Sequence, residues 1–239
     1  MNQLSIGDKI IPYEERRSAR YRRVTLSILD DRVRISAPKT ISAKQLKELL
    51  SAKQEWILKH WLASQKIQGR PQRQYIEGEQ FPYRGKVLKL SIRRQAQHSI
   101  RVSLEDQVLV VSLFHDLHVY ECQSNVQDAI IAWYKVQARR VLKNKLDEQA
   151  KRMQVTYHDF RLKDQKTRWG SCSELGNLNF NWRIIMAPDE VIDYLIIHEL
   201  AHLTHPNHSE RFWQRVAEFM PEYVSWKKWL KDHGRNLVL

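Results

Sequence analysis

Apolar residues change their spacing several times along this chain, and each change marks a different element. In RYRRVTLSILDDRVRISAP, residues 20–38, Val24, Leu26 and Ile28 fall on one side of an extended chain, and Val33, Ile35 and Ala37 do the same beyond Asp30 and Asp31. A period of two on each side of a polar pair predicts a hairpin with one buried face. The period then lengthens. Through AKQLKELLSAKQEWILKHWLASQ, Leu46, Leu49, Leu50, Ile57, Leu58 and Trp61 share one helical face, with Ser42 placed as the N-cap. Gly69, Pro71 and the Gln and Arg residues around them predict a linker. Strand-like runs return over about 76–114, clearest in VLKLSI and QVLVVSL, and a long amphipathic helix carrying Trp133, Val136, Val141 and Leu146 is expected near 125–153. No internal repeat stands out.

The last third mixes the signals more densely. KTRWGSCSELGNLNFNWRIIMAP, with Gly170 and Gly176, suits two or three short strands joined by tight turns. Pro188 follows where a helix can begin, and Asp189 and Glu190 bring negative charge to the positive end of its dipole. The helix DEVIDYLIIHELAHLT is apolar on nearly every side, which predicts a buried central element whose few polar residues are costly and therefore informative. The expected class is α+β: a basic β-rich region with one long helix over residues 1–123, then a second domain over 124–239 that contains this buried helix.

Composition narrows the picture. Apolar content of 42% with 28% charged residues is that of a globular chain. The longest apolar run, VIDYLII, is broken by Asp193 and is far short of a membrane span of about 20 residues, so no membrane is expected as a partner. The opening MNQLSIGDKIIPYEERR lacks the apolar stretch of a signal peptide, and two cysteines, Cys122 and Cys172, suggest no disulfide framework, so a cytoplasmic location is expected. The net charge of +13 is uneven: 16 Lys and Arg face 7 Asp and Glu over residues 1–73, 6 face 6 over 74–123, and 18 face 14 over 124–239. The plain reading of the basic N-terminal region is a solvated surface; the alternative is weak, non-specific DNA binding.

HELAHLTHPNHSERFW, residues 198–213, holds the candidate chemistry. His198 and His202 lie four residues apart, about 6 Å along a helix and on one face, so both imidazoles can reach one tetrahedral ion. Glu199 then stands beside the ion as a candidate general base. His205 is on the same face but about 10 Å along the axis from His198, too far for a shared ion. Pro206 disfavours helix at His205 and turns the chain, Asn207 can cap a new helix with Glu210 completing the box, and His208 can swing back as third ligand. Glu218 and Glu222 are the carboxylate alternatives. Three protein ligands leave one position open, the mark of a catalytic rather than a structural zinc site.

Taken together, RWGSC at 168–172, NWRIIMAP at 181–188, IDYLIIHELAHL at 192–203 and NHSERFW at 207–213 resemble the YgjP-like metallopeptidase family, itself similar to SprT-like and Wss1-like zinc proteases. The resemblance implies a zincin-like catalytic domain, with His198, His202 and His208 as Zn2+ ligands and Glu199 as general base. It also implies that RWGSC and GNLNFN form a sheet beside the active-site helix, where an extended substrate adds as a strand. Trp169 is expected as a core side chain, Cys172 as a small buried residue, and Phe212, Trp213, Val216 and Phe219 as packing for the following helix. Arg168 faces either the site or a structural carboxylate, and Tyr194 and Tyr223 are candidate oxyanion stabilisers without a spacing argument. The function expected is a zinc-dependent endopeptidase acting on polypeptides. The alternatives are a protease recruited to nucleoprotein and a DNA-binding module with a structural zinc site.

Overall fold

A computed structural model describes residues 2–29, 32–68, 73–96, 99–114, 119–165 and 167–239, with side chains at 63, 66–68 and 119–122 left aside. The fold is α+β, and the chain divides into two units, Met1–Gln72 and Arg73–Leu239. Asp30, Asp31, Gly69 and Pro71, where a turn and a linker were expected, lie outside the described residues.

In the first unit, β1 (Asn2–Ile6) and β2 (Lys9–Arg17) form a hairpin, β3 (Thr25–Ile28) and β4 (Val33–Ala37) form a second, and β2 runs parallel to β4, giving the order β1-β2-β4-β3. The period-two reading holds: Val33, Ile35 and Ala37 are all buried. The single helix expected next is two, α1 (Ala43–Ala52) and α2 (Gln54–Gln68), separated at Lys53. Ser42 caps α1 in a full capping box with Gln45. Ile6, Ile11, Val33, Ile35, Leu46, Leu50 and Ile57 close a core of their own.

The second unit repeats this strand plan. β5 (Gln80–Tyr83) pairs antiparallel with β6 (Lys86–Gln95), β7 (Arg101–Glu105) pairs antiparallel with β8 (Val108–Phe114), and β6 runs parallel to β8, in the order β5-β6-β8-β7. The long helix α3 (Val119–Met153) follows. Its buried side is Val126, Ile130, Trp133, Tyr134, Ala138, Val141, Leu142, Leu146, Ala150 and Met153, at helical spacing; Val136, expected on that face, is exposed.

Phe81, Leu88, Leu90, Leu109, Val111 and Leu113 of the second sheet belong to the same core as α3, and the Tyr134 hydroxyl donates to the Pro82 carbonyl at 2.6 Å. The apolar face of that sheet thus has α3 as its cover, within the unit Arg73–Leu239.

Three further strands, β9 (Asp159–Lys163), β10 (Gly170–Cys172) and β11 (Asn177–Asn181), form a sheet in the order β10-β11-β9, with β10 antiparallel and β9 parallel to β11. NWRIIMAP, read as extended, is instead a 3-10 helix over Trp182–Met186, because the Asn181 side chain accepts from Arg183 N–H and starts the turn. Next come α4 (Asp189–Ala201), α5 (Glu210–Phe219) and α6 (Tyr223–His233), then a last 3-10 turn at Gly234–Asn236. The β5–β6 turn, with Arg84 and Gly85 both at positive φ, sets its N–H groups on the Ile185 and Met186 carbonyls, and Arg84 forks onto Asp189 at 2.8 and 2.5 Å. A Cβ at Gly85 would stand 3.0 Å from the Pro188 Cα, so glycine is required for that approach.

Candidate metal centre

The helix α4 buries residues on all sides, among them Val191, Ile192, Leu195, Ile196, Leu200 and Ala201, which fixes the direction in which its polar side chains point. His198 sits in its last turn and His202 at its C-cap. The chain then turns through Pro206, and α5 starts at Glu210 with Ser209 as N-cap. Asn207 is thus not the cap expected, and His208 lies before the helix rather than within it. The turn still returns His208 to α4: its Nε2 is 3.1 Å from Nε2 of His198, and ligand atoms of His198, His202 and His208 all lie within 4.8 Å of one another.

That geometry fits a metal. Bonds of about 2.0–2.1 Å to one tetrahedral ion place two nitrogens about 3.3 Å apart, close to the 3.1 Å found here, a spacing that an N–H···N hydrogen bond between the two rings also gives. Burial, followed by the charges of His202 and His208, pushes His198 down to about 3, so it is held as the neutral ring a ligand must be. Nδ1 of His202 lies 3.2 Å from the His205 carbonyl oxygen, which fixes the tautomer and leaves Nε2 for the cluster. His205 thus serves through its backbone. Glu218 pairs with Arg215 and Glu222 occupies the N-cap position of α6, so neither carboxylate joins the three histidines.

Glu199 is 4% exposed, and burial pushes its carboxyl up to about 8. Its carboxylate rests against the backbone of β10, where a Cβ on Gly170 would stand 2.3 Å from Oε1 and 2.8 Å from Cγ. Gly170, in the RWGSC stretch, is therefore what lets the short sheet close on α4. Cys172, on the same strand, is half-buried, and its thiol is pushed up to about 11 by burial and then by the Glu199 charge; it stands near the carboxylate and outside the histidine cluster.

Several residues play more than the part the sequence suggested. Phe212, expected only to pack α5, is fully buried with its ring centroid 4.9, 4.5 and 4.8 Å from those of His198, His202 and His208. It forms a common wall for the three imidazoles. Trp213 stacks on His208 at 5.6 Å and on Tyr223 at 5.3 Å. The i, i+4 spacing of His208 and Phe212 was visible in the sequence, but without the turn geometry it carried no meaning. Trp169 is partly buried against the core, with its indole nitrogen 2.9 Å from where a Cβ of Gly234 would be. Arg168 is exposed. Tyr194 is buried with its ring 5.8 Å from that of His198, and burial raises its hydroxyl.

No curated protein matches this chain. Among solved structures it is similar to the metallopeptidase zymogen of Pyrococcus abyssi abylysin, at 22% identity over 41% of this chain and 99% of that one, with a TM-score of 0.36. It is also similar to the metallopeptidase zymogen of Methanocaldococcus jannaschii jannalysin, at 19% identity over 38% of this chain and 94% of that one, with a TM-score of 0.35. The family model described as YgjP-like, metallopeptidase domain, matches residues 22–233, and the chain accordingly belongs to the YgjP-like metallopeptidases.

Proposed function

We propose that this metallopeptidase is a zinc-dependent endopeptidase in which His198, His202 and His208 hold the ion and Glu199 is the general base. The observation that carries the reading is the convergence of three imidazole nitrogens, with Glu199, next in the chain to His198, buried on the same helix. An all-nitrogen set of three favours zinc over magnesium or calcium, which take oxygen ligands, and leaves a fourth position open. When bound, the ion acidifies water and polarises a carbonyl oxygen.

The protein's own groups supply the rest. Glu199 accepts a proton from the attacking water as its oxygen bonds to the peptide carbonyl carbon. The same carboxyl then gives that proton to the departing amine nitrogen as the C–N bond breaks. Burial raises the proton affinity of that carboxylate, which makes it a stronger base towards water. β10 is the outer strand of its sheet and lies on the Glu199 carboxylate, which supports binding of an extended polypeptide along its open edge by backbone hydrogen bonds.

The test is metal dependence with the full chain. Purified protein should contain one zinc per chain and cleave an unfolded polypeptide. A chelator should abolish cleavage, and zinc should restore it. Cleavage that persists in metal-free protein would overturn the reading.

A second reading, association with DNA, has one observation in its favour. Arg20, Arg22 and Arg23 are exposed, whereas Arg16, Arg32 and Arg34 gather on Glu14 and Arg17 on Glu15. Among the described residues those three side chains have no carboxylate partner, and they suit phosphate contacts without sequence preference.

A further inference from the structure

We infer that Lys227 is a specificity-determining residue that binds a carboxylate of the substrate at the rim of the metal centre. Tyr223 and Lys227 are one turn apart on α6 and share a face. Nζ of Lys227 stands 3.7 Å from the centroid of the Trp213 ring. The same indole stacks on Tyr223 with an interplanar angle of 14° and on His208 with one of 24°, and its centroid is 5.7 Å from that of His198. An aromatic floor thus holds one ammonium beside two of the three cluster histidines.

What the ammonium lacks is an anion. Neighbouring cations have theirs: Lys228 pairs with Asp232, and Arg215 with Glu218. Among the described residues no carboxylate pairs with Lys227, although it carries three N–H donors and the ring face occupies only one side of it. A positioned, exposed cation next to a peptidase centre is suited to a charge on the bound chain. Its direct contact is the Trp213 ring rather than a histidine nitrogen, which fits recognition of a group flanking the reacting bond rather than stabilisation of the reacting carbonyl. That carboxylate comes either from a Glu or Asp side chain or from a C-terminus. A plain surface contact, Lys227 doing no more than cover Trp213, is the competing account.

This inference rests on the peptidase reading, so binding is measured without turnover, on the zinc-loaded full chain carrying Glu199→Gln. Three dye-labelled peptides of equal length serve as probes: a neutral one with an amidated end, the same with one internal Glu, and the neutral one with a free C-terminus. At least one carboxylate peptide should bind about two- to fivefold more tightly than the neutral one, as expected for an exposed charged pair. Which of them does so identifies the source of the carboxylate. Lys227→Met should abolish that preference and Lys227→Arg should keep it, with thermal melting showing each variant folded. Equal affinities for all three peptides, or a preference that survives Lys227→Met, would overturn the assignment. Failure of the peptidase reading would show separately, as absence of cleavage by the parent protein.

Discussion

At the scale of single residues, the centre depends on side chains that never touch the reaction. Gly170 has no room for a methyl group, because Oε1 of Glu199 would lie 2.3 Å from it. Gly170→Ala should displace the carboxylate, leave zinc content near one per chain, and lower kcat about 100-fold, the low end for a misplaced general base. Metal analysis beside peptide kinetics reads both. The ligand assignment separates equally well: His208→Ala should lose most of the zinc, while His205→Ala should keep it, because His205 acts through its carbonyl on His202. Phe212→Leu removes the shared wall of the three imidazoles, and should speed zinc loss to a chelator while lowering stability by about 1–2 kcal/mol. His198, Glu199, His202 and His208 were legible because helical spacing and the Pro206 turn are local. Gly170 and Phe212 were not, since each owes its part to an element distant in sequence.

At the scale of elements, the N-terminus of α4 is anchored by Arg84 on Asp189, each a little over one-third exposed. The Arg84 guanidinium holds the Asp189 carboxyl below its ordinary value. A folded value below the unfolded one means the pair stabilises fully above the unfolded pKa of about 3.9, and the gain is lost as pH falls through the folded value. Asp189→Asn should therefore cost under about 1 kcal/mol at pH 7, given solvent screening, and progressively less as pH falls below about 3.9. Melting curves over that range check it. The partly buried pair of Lys145 and Asp193, which ties α3 to α4, is different in kind: burial keeps the Asp193 carboxyl above its ordinary value despite Lys145. Elements with one buried face were easiest to read, as with β4. β1 and β2 had no legible signal, since β2 carries Pro12 and then Glu14–Arg17, whose charges are matched by arginines rather than sorted by face. The α1–α2 break at Lys53 has neither Gly nor Pro, so periodicity ran straight through it.

At the scale of the molecule, the same strand plan occurs twice, β1-β2-β4-β3 and β5-β6-β8-β7, although the sequence shows no repeat. Only the pairing pattern is shared, and a pairing pattern leaves little trace in residue identity. The linker expected around Gly69 and Pro71 lies next to the division at Gln72/Arg73, whereas the cover that α3 gives the second sheet is a long-range fact that local pattern does not carry. The surplus of positive charge before residue 73 yields a prediction for the whole chain. DNA affinity, if carried there, should fall steeply with salt and should weaken when Arg20, Arg22 and Arg23 are changed to Glu. Affinity indifferent to both would remove DNA as a partner of that surface. The central claim is that this protein hydrolyses peptide bonds with Glu199 as base, and the Glu199→Gln variant tests it most directly. Gln fills the same space but cannot take a proton from water, so zinc content and melting temperature should stay near those of the parent while cleavage of an unfolded polypeptide falls by about 10² to 10⁴. Equal cleavage by parent and variant, at equal zinc content, would contradict the account.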